Sequence, residues 1–190
     1  LRCVRFMYCA VLSDLSALRQ LSRLEAVDLS ACDAIGDDIA AQLPPSVTAL
    51  KVLGTKVGSL GAAGVAARVR LTELSVAALD KSSLETGQLR LLSRLSGHFS
   101  GELLRVLPLG CPLLSNLVVS HSGASGSAFV AMADLPLLQT LSISFCANVD
   151  DAVCEALLSG STGRLRELRL QHCRGVTAGV LRTIAAASCY

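Results

Sequence analysis

The sequence predicts a parallel α/β solenoid, in which a short strand and a helix alternate along one continuous stack. Three observations carry that prediction. A phrase of the form LxxLxLxxC recurs, as Leu1-Val4-Phe6-Cys9, Leu24-Val27-Leu29-Cys32, Leu138-Leu141-Ile143-Cys146 and Leu165-Leu168-Leu170-Cys173. Framed by its first apolar residue, the phrase gives eight copies, starting at Leu1, Leu24, Val47, Leu71, Leu92, Leu114, Leu138 and Leu165. After each phrase the apolar rhythm changes from alternation to helical spacing. A repeat of this length fixes the architecture before any other reading. It runs through residues 1–190 as a single domain.

Each repeat divides into parts with separate physical jobs. In an extended segment side chains alternate between faces, so the apolar residues at positions four and six point the same way, into the core. Position one enters the core from the preceding loop. One such unit cannot bury its apolar row alone, whereas stacked neighbours close a core between them. Position nine is where the chain leaves the strand; its column reads Cys9, Cys32, Thr55, Leu79, Ser100, Ser122, Cys146, Cys173. Seven of these eight are small side chains with a hydrogen-bonding group. That suits a residue under a turn, where loop backbone groups must find partners. Leu79 breaks the column and predicts an altered turn. The fifth copy is weak as well, because its position six is Gly97 and a frame starting at Leu95 competes with it.

The second half of each repeat reads as helix. Val153 with Leu157, and Cys154 with Leu158, stand at helical intervals. Asp150 or Asp151 suits the start of that helix, and Thr177 the start of the next. Similar runs follow Gly36, Gly58, Gly101 and Gly126. The strands then form a curved sheet on the concave face, with helices on the convex face.

With these residues in view, the chain resembles the cysteine-containing leucine-rich repeats. The stretch 138–170 carries the phrase and its cysteine, with Val149-Asp150-Asp151 in place of the Ile-Thr-Asp element. Cys111-Pro112-Leu113-Leu114-Ser115-Asn116-Leu117 matches the CPxLxxL join between repeats, and Cys189 falls within one residue of the same cysteine. The resemblance implies a leucine-rich-repeat solenoid and a binding role. In that family the repeats most often read substrates for F-box ubiquitin-ligase receptors, with the F-box N-terminal to them. Residue 1 already lies inside a repeat, so an F-box or further repeats would have to lie upstream in a longer chain.

Composition narrows the function classes. Apolar residues make up 52%, yet no run reaches 18 without a polar residue, so a membrane-spanning helix is not expected. The net charge is +2 with no basic block, which argues against nucleic acid or an acidic membrane as partner. No charged-then-apolar leader is visible, and the expected location is intracellular, in the cytoplasm. The eight cysteines mostly fill repeat positions, and neighbours such as Cys9 and Cys32, or Cys146 and Cys173, stand roughly 5 Å apart along the stack. Bridges are therefore feasible by distance, but reduced, buried thiols are the expectation. No CxxC or HxxxH pair suggests zinc. No enzyme activity is expected. Ser120-His121-Ser122 has no acidic third member, and the glycines of 58–64 lack the Lys-Ser/Thr of a phosphate loop; no metal or cofactor is expected.

Function is expected on the outward positions, two, three, five, seven and eight. The position-eight column reads Tyr8, Ala31, Gly54, Ala78, Phe99, His121, Phe145, His172. Its last three members come from consecutive repeats and should stand side by side, with Arg166, Arg169 and Gln171 beside them. An exposed aromatic flanked by His and Arg has the composition of an interface anchor. Arg5 and Tyr8, with Met7, make a second candidate, or the face that meets upstream repeats. The expected function is thus a non-catalytic protein-interaction module binding a protein partner on the concave face. Its alternatives are the substrate-recognition part of a ubiquitin-ligase receptor and a structural scaffold in a large assembly.

Overall fold

Eight strands form one parallel sheet in chain order, with each strand paired to its sequence neighbours. They are β1 (Cys3–Arg5), β2 (Ala26–Asp28), β3 (Ala49–Val52), β4 (Glu73–Val76), β5 (Arg94–Gly97), β6 (Asn116–Ser120), β7 (Thr140–Ser144) and β8 (Glu167–Gln171). The structure, a computed structural model, describes residues 1–57, 70–79, 81, 84, 87, 89–161 and 163–187. The helical run expected after Gly58 and the join cysteine Cys189 lie outside the described residues.

The strand register follows the repeat. Val4, Val27, Leu50, Leu74, Leu95, Leu117, Leu141 and Leu168 align as one row across the sheet. Because Leu95 pairs with Leu74 and Leu117, the fifth repeat follows the frame that starts at Leu92. Position six follows suit, with Gly97 between Val76 and Val119. These rows are buried over β2–β7 together with the position-one residues Leu24, Val47, Leu71, Leu92, Leu114 and Leu138. The arrangement is a leucine-rich-repeat solenoid, with an aliphatic core between the sheet and the elements behind it.

Those elements vary in length for local reasons. The first repeat has only a 3-10 turn, Ser16–Gln20. Helix α1 (Ile39–Gln42) is one turn long, because Leu43 precedes Pro44 and takes an extended backbone, as a residue before proline prefers. Helix α2 (Gly101–Gly110) is capped by Ser100, whose side chain accepts from the Leu103 N–H at 3.3 Å. Helix α3 (Gly126–Val130) continues into a 3-10 turn, Ala131–Asp134. Helix α4 (Asp151–Gly160) is capped by Asp150, which accepts from the Val153 N–H at 2.9 Å. Helix α5 (Gly179–Ala187) follows Thr177, whose hydroxyl accepts from the Gly179 N–H at 3.0 Å.

Side-chain hydrogen bonds tie repeat to repeat. At position two, the hydroxyls of Thr48, Thr72, Ser93 and Ser115 donate back to the carbonyls of Glu25, Thr48, Thr72 and Ser93, at 3.1–3.4 Å. These four were expected to face outward; they are half-buried because each finds a carbonyl on the preceding repeat. At position nine, the Cys32 thiol donates to the Phe6 carbonyl at 2.7 Å and the Ser122 hydroxyl to that of Phe99 at 2.6 Å. Thr55 serves the Val52 carbonyl at 2.8 Å, and Cys146 that of Ser144 at 3.3 Å. The column therefore satisfies turn backbone, as its composition suggested.

The described cysteines are free. Burial pushes the Cys111 thiol up to about 12 and the Cys154 thiol to about 11, and raises Cys146 as well. At neutral pH these three act as small apolar side chains. Among the described residues, no helix is long and apolar enough to cross a membrane.

Candidate partner-binding rim

The position-eight residues begin where the strands stop. In the first two repeats and in the sixth and seventh, this residue still donates its N–H to the position-seven carbonyl of the next repeat. The pairs are Tyr8 to Ser30 (3.0 Å), Ala31 to Leu53 (2.7 Å), His121 to Ser144 (3.0 Å) and Phe145 to Gln171 (2.9 Å). At that residue the chain must turn sharply under the sheet. It does so in the left-handed region, at φ 59° for Tyr8 and Ala31, 68° for Gly54, 50° for His121, 54° for Phe145 and 53° for His172. Each non-glycine member costs about 1–2 kcal/mol in backbone energy, which the surrounding repeats sustain. Ala78 and Phe99 do not share the conformation, and these are the turns beside the two irregular repeats.

This geometry revises where the column lies. It was expected to rise from the open face of the sheet with position five; instead it sits one residue beyond the ends of β6, β7 and β8, two or three beyond those of β1–β5, and forms a rim. There the repeat spacing stacks the rings. His121 lies on Phe145 with centroids 4.6 Å apart and planes 4° from parallel. Phe145 lies on His172 at 4.4 Å and 12°. His98 closes the row against His121 edge-on, at 5.4 Å and 67°. Phe145 remains 49% exposed although both its faces are covered, so the exposed part is ring edge.

Phe99 is the member of the column that leaves the surface. Its ring is buried because a Cβ added to Gly97 would stand 2.8 Å from two of its atoms. The ring fills the space that a position-six side chain fills in other repeats. His98, one residue earlier, reaches the rim in its place. His98 was not singled out from sequence; the pairing of a core glycine with a phenylalanine two residues on was the available signal.

The other expected residues are only partly brought together. Gln171 ends β8 beside His172 and is exposed. Arg169, in the middle of β8, is held by Glu167 at 2.7 Å. Arg166 precedes β8 and stands six residues from His172, about 20 Å along an extended chain. It was expected next to the rings, and the length of the strand separates them. Arg5 and the 78% exposed Tyr8 lie at the opposite edge of the sheet, seven strands away. Tyr8 is followed along its column by Ala31 and Gly54, so no neighbouring ring stacks on it.

The middle of the open face is different in kind. A shallow depression is lined by Lys51, Glu73, Ser75, Arg94, Ser96 and Val118 among others. Ser96 donates to Ser75 at 2.6 Å and Arg94 pairs with Glu73 at 2.9 Å. Its polar side chains largely satisfy one another.

The fold and rim define a leucine-rich-repeat solenoid with a ring-bearing edge. A crystal structure of an internalin (InlF) from Listeria monocytogenes is similar to this chain, with a TM-score of 0.50 and 16% identity. The match covers 93% of this chain and 62% of the internalin chain, so this chain spans less than two thirds of that neighbour's length. No protein-family model and no curated protein matches the sequence.

Proposed function

We propose that this chain is a non-catalytic protein-interaction module that holds a protein partner on the rim and the adjoining face of β7 and β8. The carrying observation is the His121–Phe145–His172 stack: a half-exposed aromatic, locked between two rings on an over-determined backbone. A rigid aromatic of this kind loses little entropy on binding, which is the character of an interface anchor. Gln171 and Arg169 extend the contact along β8, with Arg166 at its far end, and Arg5 with Tyr8 form a separate, weaker candidate. Cysteines bonded to turn carbonyls support the reading of a reduced, intracellular protein. The same cysteine column and the CPxLxxL join at Cys111 support the narrower reading of substrate recognition for a ubiquitin ligase.

Phe145→Ala and Arg169→Ala test the proposal. Ala31 already occupies the same turn position at φ 59°, so alanine at 145 keeps the local backbone. Proteins co-purifying from the native source are quantified against the parent chain, with circular dichroism as the folding check. Loss of a partner by about tenfold on Phe145→Ala is expected. Unchanged recovery of every partner by both folded variants overturns the reading.

A further inference from the structure

Stacking decides which part of each ring a partner can touch. An aromatic ring is negative on its faces and positive at its edge, so cations are bound by faces. Here both faces of Phe145 are occupied, one by His121 and the other by His172, and a second face of the row is taken up where His98 meets His121. What reaches solvent is a run of positive ring edges, imidazole nitrogens with at least one N–H per histidine in either protonation state, and the outward face of His172 at the end of the row.

The charged groups around the row point the same way. Glu167 is occupied by Arg169, through contacts of 2.7 and 2.8 Å. Asp150 is committed to the start of α4, and Asp151 to the N–H and hydroxyl of Thr177. Arg174, two residues past His172, is exposed and forms no ion pair among the described residues. The outward residues of β6 and β7, Asn116, Val118, Ser120, Thr140, Ser142 and Ser144, carry no charge. Glu167 is thus ion-paired and Asp150 and Asp151 are held at helix starts, while among the described residues the Arg174 guanidinium has no carboxylate partner.

The geometry points to an acidic segment of a partner protein as the occupant of this rim, its carboxylates meeting ring edges, imidazole N–H groups and Arg174, two residues past the last ring. This rests on the rim being the binding face, and it contrasts with an aromatic cage for a lysine or arginine, to which Phe145 has no free face to offer. Electrostatic contacts of this kind weaken with added salt.

The experiment uses three fluorescein-labelled peptides of equal length, with repeating Gly-Asp, Gly-Lys and Gly-Asn, titrated with the full chain and read by anisotropy. The expected result is binding of the Gly-Asp peptide alone, weakened by salt, weakened about tenfold by Phe145→Ala or by His121→Ala with His172→Ala, and unchanged by Arg182→Ala on the exposed side of α5. Equal or tighter binding of the Gly-Lys peptide overturns the inference, as does failure of the Gly-Asp peptide to bind. If the Gly-Asp peptide fails to bind while Phe145→Ala still abolishes native partner capture, the acidic partner is wrong and the rim remains the binding face. Binding of the Gly-Asp peptide that is indifferent to Phe145→Ala and to the paired histidine variant also overturns the inference. Melting temperatures of the variants separate lost contacts from lost fold.

Discussion

At the scale of single residues, the Gly97–Phe99 pair shows how a broken rule is compensated. A Cβ at Gly97 would approach the Val76 carbonyl to 2.3 Å and the Phe99 ring to 2.8 Å, so the glycine is required by what covers it. Gly97→Val is expected to cost about 1–3 kcal/mol or more by overpacking. Phe99→Ala opens a cavity and should cost about 3–5 kcal/mol. The double variant restores a side chain to the vacated space, and its cost should fall below the sum of the two single costs by more than about 0.5 kcal/mol. Urea denaturation of the four proteins measures this, and strict additivity would contradict the exchange of position six for position eight. The pattern of apolar letters was legible in the other seven repeats, because burial imposes a strict period, whereas Gly97 left the fifth open between frames at Leu92 and Leu95. The exchange was not legible, because it depends on where one ring turns. The left-handed turns were concealed for a related reason: Tyr8, Ala31, His121, Phe145 and His172 are poor markers of positive φ, and only Gly54 in that column hinted at it.

At the scale of elements, repeats are joined by bonds from one helix start to the next as well as by the sheet. Asp151, the first residue of α4, accepts from both the backbone N–H and the hydroxyl of Thr177, just ahead of α5. The Thr177 hydroxyl bond, then its N–H, hold the Asp151 carboxyl below the ordinary value of 3.8. A carboxyl lowered in the folded state stabilises it fully above the ordinary value, and the contribution disappears as pH falls through the lowered one. Asp151→Asn should therefore reduce stability at neutral pH and have progressively less effect as the pH falls below 3.8 and through the lowered value, beneath which neither folded protein carries the charge. Denaturation midpoints followed from pH 7 downward check this, and an equal deficit at every pH would assign the loss to packing instead. Sequence marked Asp150 or Asp151 as suited to a helix start. The two divide the work: Asp150 caps its own helix, and Asp151 reaches across to the next repeat, a role that only the stacking distance makes possible.

At the scale of the whole molecule, every strand meets only its chain neighbours, and so stability passes from repeat to repeat without long-range closure. Burial along the stack is uneven. In β6 and β7 the core rows at Leu117, Val119, Leu141 and Ile143 are fully buried. At one end Phe6 is 38% exposed, and at the other Leu168 and Leu170 are only half-buried. A strand with a neighbour on each side and a dry core row behind it opens only when both interfaces yield, whereas an edge strand opens by losing one. Local opening free energies should follow that difference. Amide hydrogen exchange is therefore expected to be slowest in Asn116–Ser120 and Thr140–Ser144, and faster by at least about tenfold in Cys3–Arg5 and Glu167–Gln171. The ring row spans this gradient, since His121 and Phe145 follow the two best-protected strands while His172 follows an edge strand. A partner that grips the row should accordingly slow exchange most in β8, where there is most protection to gain. Uniform exchange along the sheet would show that the stack opens as one unit, and would remove the gradient on which the β8 response depends.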